Sequence, residues 1–274
     1  IAIDPLLRAL EHNEEAQNIE IIADKVEETN TELLKNVDFF ISRHNLEHLE
    51  NPISVLEKIR VSSVKKDIFG FIEVPDTDSL VQNNRFDQVF HEHIHYFNRQ
   101  SLSLAINIAG FEVLEMWLSS RYGGSISALV KFSHSSLGKN IIKTQRLSQL
   151  IKYPVHPVIE TKDLINSSEH FFNKCSELRN LLESVYGNAY GYGAGHSTPF
   201  LAYHIDGRYH LLEGIADNDV SKHGMFIKNL NPLIISPEEL NKDHFVLITA
   251  TDYTEMIKTS LHEKKLKNVL GILL

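Results

Sequence analysis

The segment FDQVFHEHIHYF, residues 86–97, places three histidines at alternate positions with a glutamate between the first two. Imidazoles bind divalent metals, and a neutral imidazole accepts protons near neutral pH because its ordinary pKa is about 6.5. On an extended strand, His91, His93 and His95 would point to one side, as in metal sites that contain His-x-His pairs. Such a site needs further ligands, and the sequence identifies none. The spacing leaves three interpretations open: a metal site, a general base, or histidines that only form hydrogen bonds.

Two neighbouring features bear on this choice. Glu92 precedes His93 and could orient its imidazole for proton transfer, provided that the backbone bends, because adjacent strand residues point to opposite sides. In SRHNLEHLENP, His44 and His48 are four residues apart, so on a helix they would share a face and could bind a metal. The alternative for this second pair is a loop that leads into a helix cap.

Two further motifs are typical of nucleotide-binding folds. Asp4, in AIDP, ends a predicted strand, where an acid can accept hydrogen bonds from ribose hydroxyls. GYGAGHSTPF is a predicted strand-to-helix turn with Gly191, Gly193 and Gly195, and small residues let backbone amides approach a phosphate. A turn or helix cap is the more common role of an aspartate at the end of a strand, and a tight chain reversal explains the glycines equally well.

The elements that must position these residues alternate between strands and helices. Strands are predicted at VDFFISR and DIFGFIEVP, and NPISVLEKIR begins a helix with Asn51 as cap and Pro52 in the first turn. Such alternation favours parallel sheets flanked by helices. The sequence predicts an α/β protein with two Rossmann-like parallel-sheet domains, residues 1–135 and 187–274, joined by a helical connector at 136–186.

Composition narrows the class of protein. A chain of 274 residues suggests about two domains at roughly 150 residues each. The formal net charge of −9 argues against a nucleic-acid or anionic-membrane surface. No apolar run reaches about 18 residues, and the single cysteine, Cys175, excludes a disulfide framework or a thiolate zinc cluster within these residues. We therefore expect a cytoplasmic protein without nucleic-acid or membrane partners.

Taken together, AIDP, SRHNLEHLENP, FIEVPD, FDQVFHEHIHYF, RYGGSI, GYGAG and IADNDVSKHG resemble the sugar C-methyltransferase family. The resemblance implies a class I S-adenosylmethionine-dependent domain, here residues 1–135 and incomplete at its N-terminus, and a C-terminal nucleotide-sugar domain. It also implies that zinc-binding cysteines and a Gly-rich donor loop precede Ile1, so that zinc is expected only in that upstream region.

The chemistry that the resemblance implies is C-methylation of a nucleotide-linked keto sugar at the carbon next to the ketone. His93 would be the base with Glu92 as assisting acid, Asp4 would bind the donor's ribose, and His44 would lie near donor and sugar; no metal is expected in this site. The substrate side would be formed by Phe90, Tyr122, Gly123, Gly124, Gly191, Gly193 and Lys222.

One position departs from the family, which commonly has tyrosine where this chain has Phe90, so the phenol hydroxyl is missing. Other functions therefore stay open: an O-methyltransferase for a related sugar, a non-catalytic nucleotide-sugar-binding protein of the same fold, or a metalloenzyme centred on the histidines.

Overall fold

A computed structural model of the protein describes residues 1–4, 19–119, 123–133 and 159–271. The chain forms two compact units. The N-terminal unit comprises Ile1–Asp76, Glu92–Ser119 and Ile126–Pro154, and the C-terminal unit comprises Thr77–His91, Ser120–Ser125 and Val155–Leu274. The chain thus passes between the units more often than consecutive domains at 1–135 and 187–274 would require.

In the part of the N-terminal unit that the structure describes, there are two sheets. One is a parallel pair of short strands, β1 (Ala2–Ile3) and β2 (Ile21–Ile22). The other has four strands in the order β3-β4-β6-β5, namely β3 (Phe39–Arg43), β4 (Asp67–Pro75), β5 (Glu112–Ser119) and β6 (Ser125–Ser133). Strands β3 and β4 are parallel, so their carboxyl ends lie at the same edge and Arg43 stands opposite Glu73.

Helices α1 (Thr31–Leu34), α2 (Pro52–Ser62) and α4 (Arg99–Ile108) belong to the same unit. As predicted, α2 begins at a cap, because the Asn51 side chain accepts a hydrogen bond from the Ser54 backbone amide. Helix α4 buries Leu102, Ala105 and Ile106, which lie on one face at helical spacing. These side chains join the hydrophobic core that also contains residues of the four-stranded sheet.

The C-terminal unit is built on a parallel sheet of five strands in the order β11-β10-β7-β8-β9. The strands are β7 (Ala189–Tyr192), β8 (Gly214–Ala216), β9 (Ile234–Ile235), β10 (Phe245–Ile248) and β11 (Val269–Gly271). The chain runs outward from β7 to β9 and then returns to place β10 on the other side of β7. This reversal creates a topological switch point between β7 and β10, where ligands of open α/β sheets bind.

Among the described residues of the C-terminal unit there are four helices: α3 (Thr77–Gln82), α5 (Thr161–Ser184), α6 (Ser197–His204) and α7 (Thr254–Glu263). Helix α5 lies within the predicted connector, but it buries Phe171, Cys175, Leu178 and Leu182 in the core of this unit. Residues 136–158 of that connector lie outside the described residues.

The prediction of an α/β protein with parallel sheets is confirmed. Within the described residues, no helix combines the length and the apolar character needed to cross a membrane.

Candidate active site

The histidine-rich segment does not form a strand of either unit's sheet. A 3-10 turn covers Phe86–Gln88, a turn follows at His91 and Glu92, and an isolated bridge joins Phe97 to Asp76. His91 and Glu92 are exposed, whereas His93 is half-buried. The one-sided row of histidines considered for an extended strand is therefore not formed, and the bend that a Glu92–His93 pair requires is present.

The loop after β3 lies beside this segment in the N-terminal unit. His44 follows β3 with a φ of +46°, a left-handed conformation that residues other than glycine seldom adopt, and its backbone amide donates to the Glu73 carbonyl at 2.9 Å. A 3-10 turn, Leu46–His48, comes next. The carbonyl of Glu47 accepts hydrogen bonds from the amides of Ile94 at 2.9 Å and His95 at 3.1 Å. These bonds hold the loop against the histidine-rich segment.

His48 and His93 are brought together by this arrangement. Their ring centroids lie 4.9 Å apart, with the planes tilted by 60°. Nδ1 of His48 lies 2.8 Å from the carbonyl oxygen of Glu92. Because a carbonyl only accepts hydrogen bonds, Nδ1 carries the proton, and in the neutral ring Nε2 has a lone pair. The spacing in the sequence paired His48 only with His44 and gave no indication of its contact with His93.

Two buried carboxylates face these imidazoles. Glu47 is 1% exposed, and its Oε1 lies 3.4 Å from Nδ1 of His44 and 4.0 Å from Nε2 of His48. Glu73, on β4, receives a hydrogen bond from Nε of Arg43 at 2.7 Å and has Oε1 3.8 Å from Nε2 of His44. We refer to Glu47, Glu73, His44, His48 and His93 as the His-Glu cluster. Such a group can transfer protons or hold a cation.

Asp4 follows β1 directly, at the carboxyl end of the parallel pair, and is half-buried. Its backbone amide donates to the Ile22 carbonyl at 3.1 Å, so the chain stays extended up to this residue. The position suits a carboxylate that accepts from ribose hydroxyls. The roles of Asp4, His44, Glu92 and His93 in binding and catalysis stay predictions.

Tyr122 lies outside the described residues. The other predicted substrate residues belong to the C-terminal unit. The ring of Phe90 stacks on that of Phe200, with centroids 4.3 Å apart. Gly123 has a φ of +77°, and a Cβ added there would lie 1.8 Å from Nη1 of Arg85. Gly124 has a φ of +124°. The backbone conformation thus explains why glycine occupies both positions, and their contacts with substrate stay predictions.

The Gly-rich turn follows β7. Gly193 has a φ of +101°, and a Cβ added there would lie 2.3 Å from Cβ of Ala250; one added at Gly191 would lie 3.0 Å from Ile215. The amide of Ala194 donates to Oδ2 of Asp217 at 2.7 Å, and Nζ of Lys222 donates to the same oxygen at 3.2 Å.

The next amide of the turn is also engaged, since that of Gly195 donates to the Thr198 hydroxyl at 3.1 Å. Two amides considered for phosphate binding therefore have protein partners. Among the predicted residues at this edge, the ammonium group of Lys222 remains the cationic candidate for contact with a phosphate.

A buried ion cluster in the C-terminal unit was missed by the sequence. Arg85, 3% exposed, donates to both carboxylate oxygens of Asp87 at 2.8 and 2.9 Å and to Oδ1 of Asp252 at 2.6 Å. Burial by itself lowers the pKa of Arg85, but the two carboxylates outweigh it and raise that pKa. Arg85 and Asp252 are 167 residues apart, so no local pattern connects them.

The first part of the chain is similar to known methyltransferases. Residues 1–116 match the methyltransferase domain family. A stretch of 56 residues is 41% identical to C-methyltransferase NovU from Streptomyces niveus, and it spans 20% of this chain and 13% of that protein. The prediction of a methyltransferase is therefore confirmed at the level of this domain.

Solved methyltransferase structures also show a partial likeness. One is magnesium protoporphyrin IX methyltransferase from Synechocystis PCC 6803 with bound SAH (TM-score 0.33, 12% identity, 43% of this chain and 57% of that chain). Another is the N-terminal domain of EvdMO1 with SAH bound (TM-score 0.27, 17% identity, 43% of this chain and 55% of that chain). At TM-scores below 0.5 these likenesses do not by themselves establish a common fold.

Proposed function

We propose that the protein is an S-adenosylmethionine-dependent C-methyltransferase that acts on a nucleotide-linked keto sugar, with His93 as the base. The observation that carries the proposal is the match of residues 1–116 to the methyltransferase domain family, because these residues include the whole His-Glu cluster. The 41% identity to a C-methyltransferase over 56 residues supports transfer to carbon. The sugar class follows from the sequence motifs that resemble the sugar C-methyltransferase family.

The residues of the N-terminal unit fit the donor. When bound, S-adenosylmethionine supplies an electrophilic methyl group on a positively charged sulfur. Asp4, half-buried at the carboxyl end of β1, would accept hydrogen bonds from its ribose. Glu73 is paired with Arg43. The buried carboxylate of Glu47, in contrast, lies beside His44 and His48 and gives the loop around His44 a negative character, which favours a cation over an anion.

His93 would take the proton from the sugar carbon next to the ketone, and the electron pair of the broken C–H bond would form the enolate. The ketone makes this carbon acidic, and a positioned imidazole typically accelerates such a proton transfer by about 10²–10⁴-fold. His48 packs beside His93, and its Nδ1–H donates to the Glu92 carbonyl, which fixes the position of its ring. His48 therefore limits the directions that the His93 ring can take.

The C-terminal unit would bind the nucleotide through a Rossmann-like sheet. The switch point between β7 and β10 is where open α/β sheets bind ligands, and the Gly193 turn lies at that edge. Lys222 retains 36% exposure of its side chain while it contacts Asp217, so its ammonium group can also reach a diphosphate.

The test incubates the purified full-length protein, with the donor loop that is expected to precede Ile1, in D₂O with nucleotide-linked 4-keto sugars. The reactions are run with and without S-adenosylmethionine, and the products are followed by mass spectrometry. We expect a gain of one methyl group with the donor and deuterium exchange at the adjacent carbon without it. His93→Ala should abolish exchange and transfer, while donor affinity, measured by calorimetry, persists. The matched control is His262→Ala, an exposed histidine on α7.

The outcomes separate the alternatives. Exchange and transfer that survive in His93→Ala would refute the role of His93. Methyl transfer to a hydroxyl without deuterium exchange would indicate an O-methyltransferase. Tight binding of the nucleotide sugar with neither exchange nor transfer would indicate a binding protein of the same fold.

A further inference from the structure

Glu47 has an arrangement that neither the fold nor the proposed proton transfer explains. Its side chain is 1% exposed, and within the described part of the chain neither carboxylate oxygen receives a hydrogen bond. A buried carboxylate without donors is costly, so a partner of positive charge is expected at this position. The glutamate follows β3 by only a few residues, and its carbonyl is already held by the amides of Ile94 and His95.

The tautomer of His48 also indicates a positively charged partner at this position. Because its Nδ1–H donates to the Glu92 carbonyl, the lone pair of the neutral ring is on Nε2, which lies 4.0 Å from Oε1 of Glu47. Two electron-rich atoms then face each other, one on the buried Glu47 and one on the partly exposed His48, and a cation between them would stabilise this arrangement. Histidines that bind metals commonly donate their other ring N–H to a backbone carbonyl, as His48 does.

His93 completes the group. One ligand atom each from Glu47, His48 and His93 lie within 4.8 Å of one another. Zinc binds nitrogen and carboxylate oxygen at about 2.1 Å, which puts tetrahedral ligands about 3.4 Å apart, so modest side-chain rotations would bring all three onto one ion. Two imidazoles and one carboxylate, with water in the fourth position, form a donor set that zinc accepts.

We propose that Glu47, His48 and His93 bind a divalent transition-metal ion of the zinc type. The nitrogen donors select against Mg²⁺ and Ca²⁺, which prefer oxygen ligands. A ring nitrogen that binds the ion cannot at the same time accept a proton, so the metal-bound form and the base form of His93 exclude one another. Metal binding would hold the protein in a state that does not abstract the substrate proton.

The test uses the purified chain treated with EDTA and then dialysed, with Zn²⁺, Co²⁺ and Mg²⁺ as probes and no donor or sugar present. We expect calorimetry to show one Zn²⁺ bound per chain and no binding of Mg²⁺. Bound Co²⁺ should show the visible absorption bands of an ion with few ligands. Glu47→Gln and His48→Asn should each weaken Zn²⁺ binding about tenfold or more, because each removes a ligand. Glu50→Gln and His91→Asn change exposed residues of the same two segments and should leave the affinity unchanged.

Circular dichroism shows whether each variant keeps its fold, and two independent ligand variants protect the test against the failure of one. Absence of Zn²⁺ binding to the parent chain would overturn the proposal. Binding that is lost equally in the control variants, or retained in both ligand variants, would also overturn it. Since neither substrate nor donor is used, the result does not depend on the proposed transferase activity.

Discussion

Replacing Arg85 with methionine provides a direct test of the buried ion cluster. The guanidinium is 3% exposed and makes its bonds to Asp87 and Asp252, whose side chains are 1% and 3% exposed. Methionine fills a similar volume but leaves two buried carboxylates without the guanidinium that neutralises them. Removing one member of a buried ion pair typically costs about 3–5 kcal/mol of unfolding free energy. Because two carboxylates are left here, we expect a loss of about 4 kcal/mol or more.

The single cysteine provides an assay that is specific for this unit. Cys175 is 1% exposed in the core of the C-terminal unit, so the urea dependence of its labelling by a thiol reagent reports the opening of that core. With an m-value of about 2 kcal/mol/M, a loss of about 4 kcal/mol moves the midpoint by about 2 M urea. The matched control is Arg208→Met, because Arg208 contacts Glu183 at 3.2 Å in an exposed pair worth at most about 1 kcal/mol.

The reasoning fails if Arg85→Met moves the midpoint no further than Arg208→Met does. A second comparison separates charge from packing. Adding Asp87→Asn and Asp252→Asn to Arg85→Met removes the uncompensated charges, so part of the lost stability should return. If the combined variant is less stable than Arg85→Met, the loss comes from side-chain packing rather than from buried charge.

Two further predictions concern the same unit. Gly193→Ala should cost about 2–4 kcal/mol in urea unfolding, because it adds strain at a φ of +101° and a Cβ only 2.3 Å from that of Ala250. Gly187→Ala, at a φ of +81° with open space around it, should cost only about 1–2 kcal/mol, and equal losses would rule out the steric contribution. Burial raises the pKa of Cys175 to about 12, so its thiol should not react with iodoacetamide at pH 8.5 until urea unfolds the chain. Rapid alkylation of the folded protein would contradict this, and a small thiol of ordinary pKa serves as the reference for the reagent.

The parts of the molecule that sequence reasoning predicted are those that depend on local patterns. Asn51 and Pro52 mark the start of α2 because capping involves residues within one turn. Leu102, Ala105 and Ile106 recur at helical spacing, and the structure buries them on one face of α4. Strands that end at Asp4 and Arg43 follow from short runs of apolar residues.

The helical connector is an element whose packing local sequence patterns do not predict. The sequence predicts a helical connector at 136–186, and the structure has helix α5, Thr161–Ser184, within this range. Phe171 and Cys175 of this helix are core residues of the C-terminal unit. Burial of one face depends on which other segment packs against it, and helical periodicity does not contain that information.

The candidate site shows the same division. By itself, the sequence determined the α/β class, the strand that precedes His44, and the resemblance that makes His93 the predicted base. Only the tertiary structure placed His48 and the buried Glu47 beside His93, and Asp252 on Arg85 across 167 residues. The physical reason is that ladder bonds and capping are set by near neighbours, whereas the partner of a buried charge is chosen by how the folded segments meet in space.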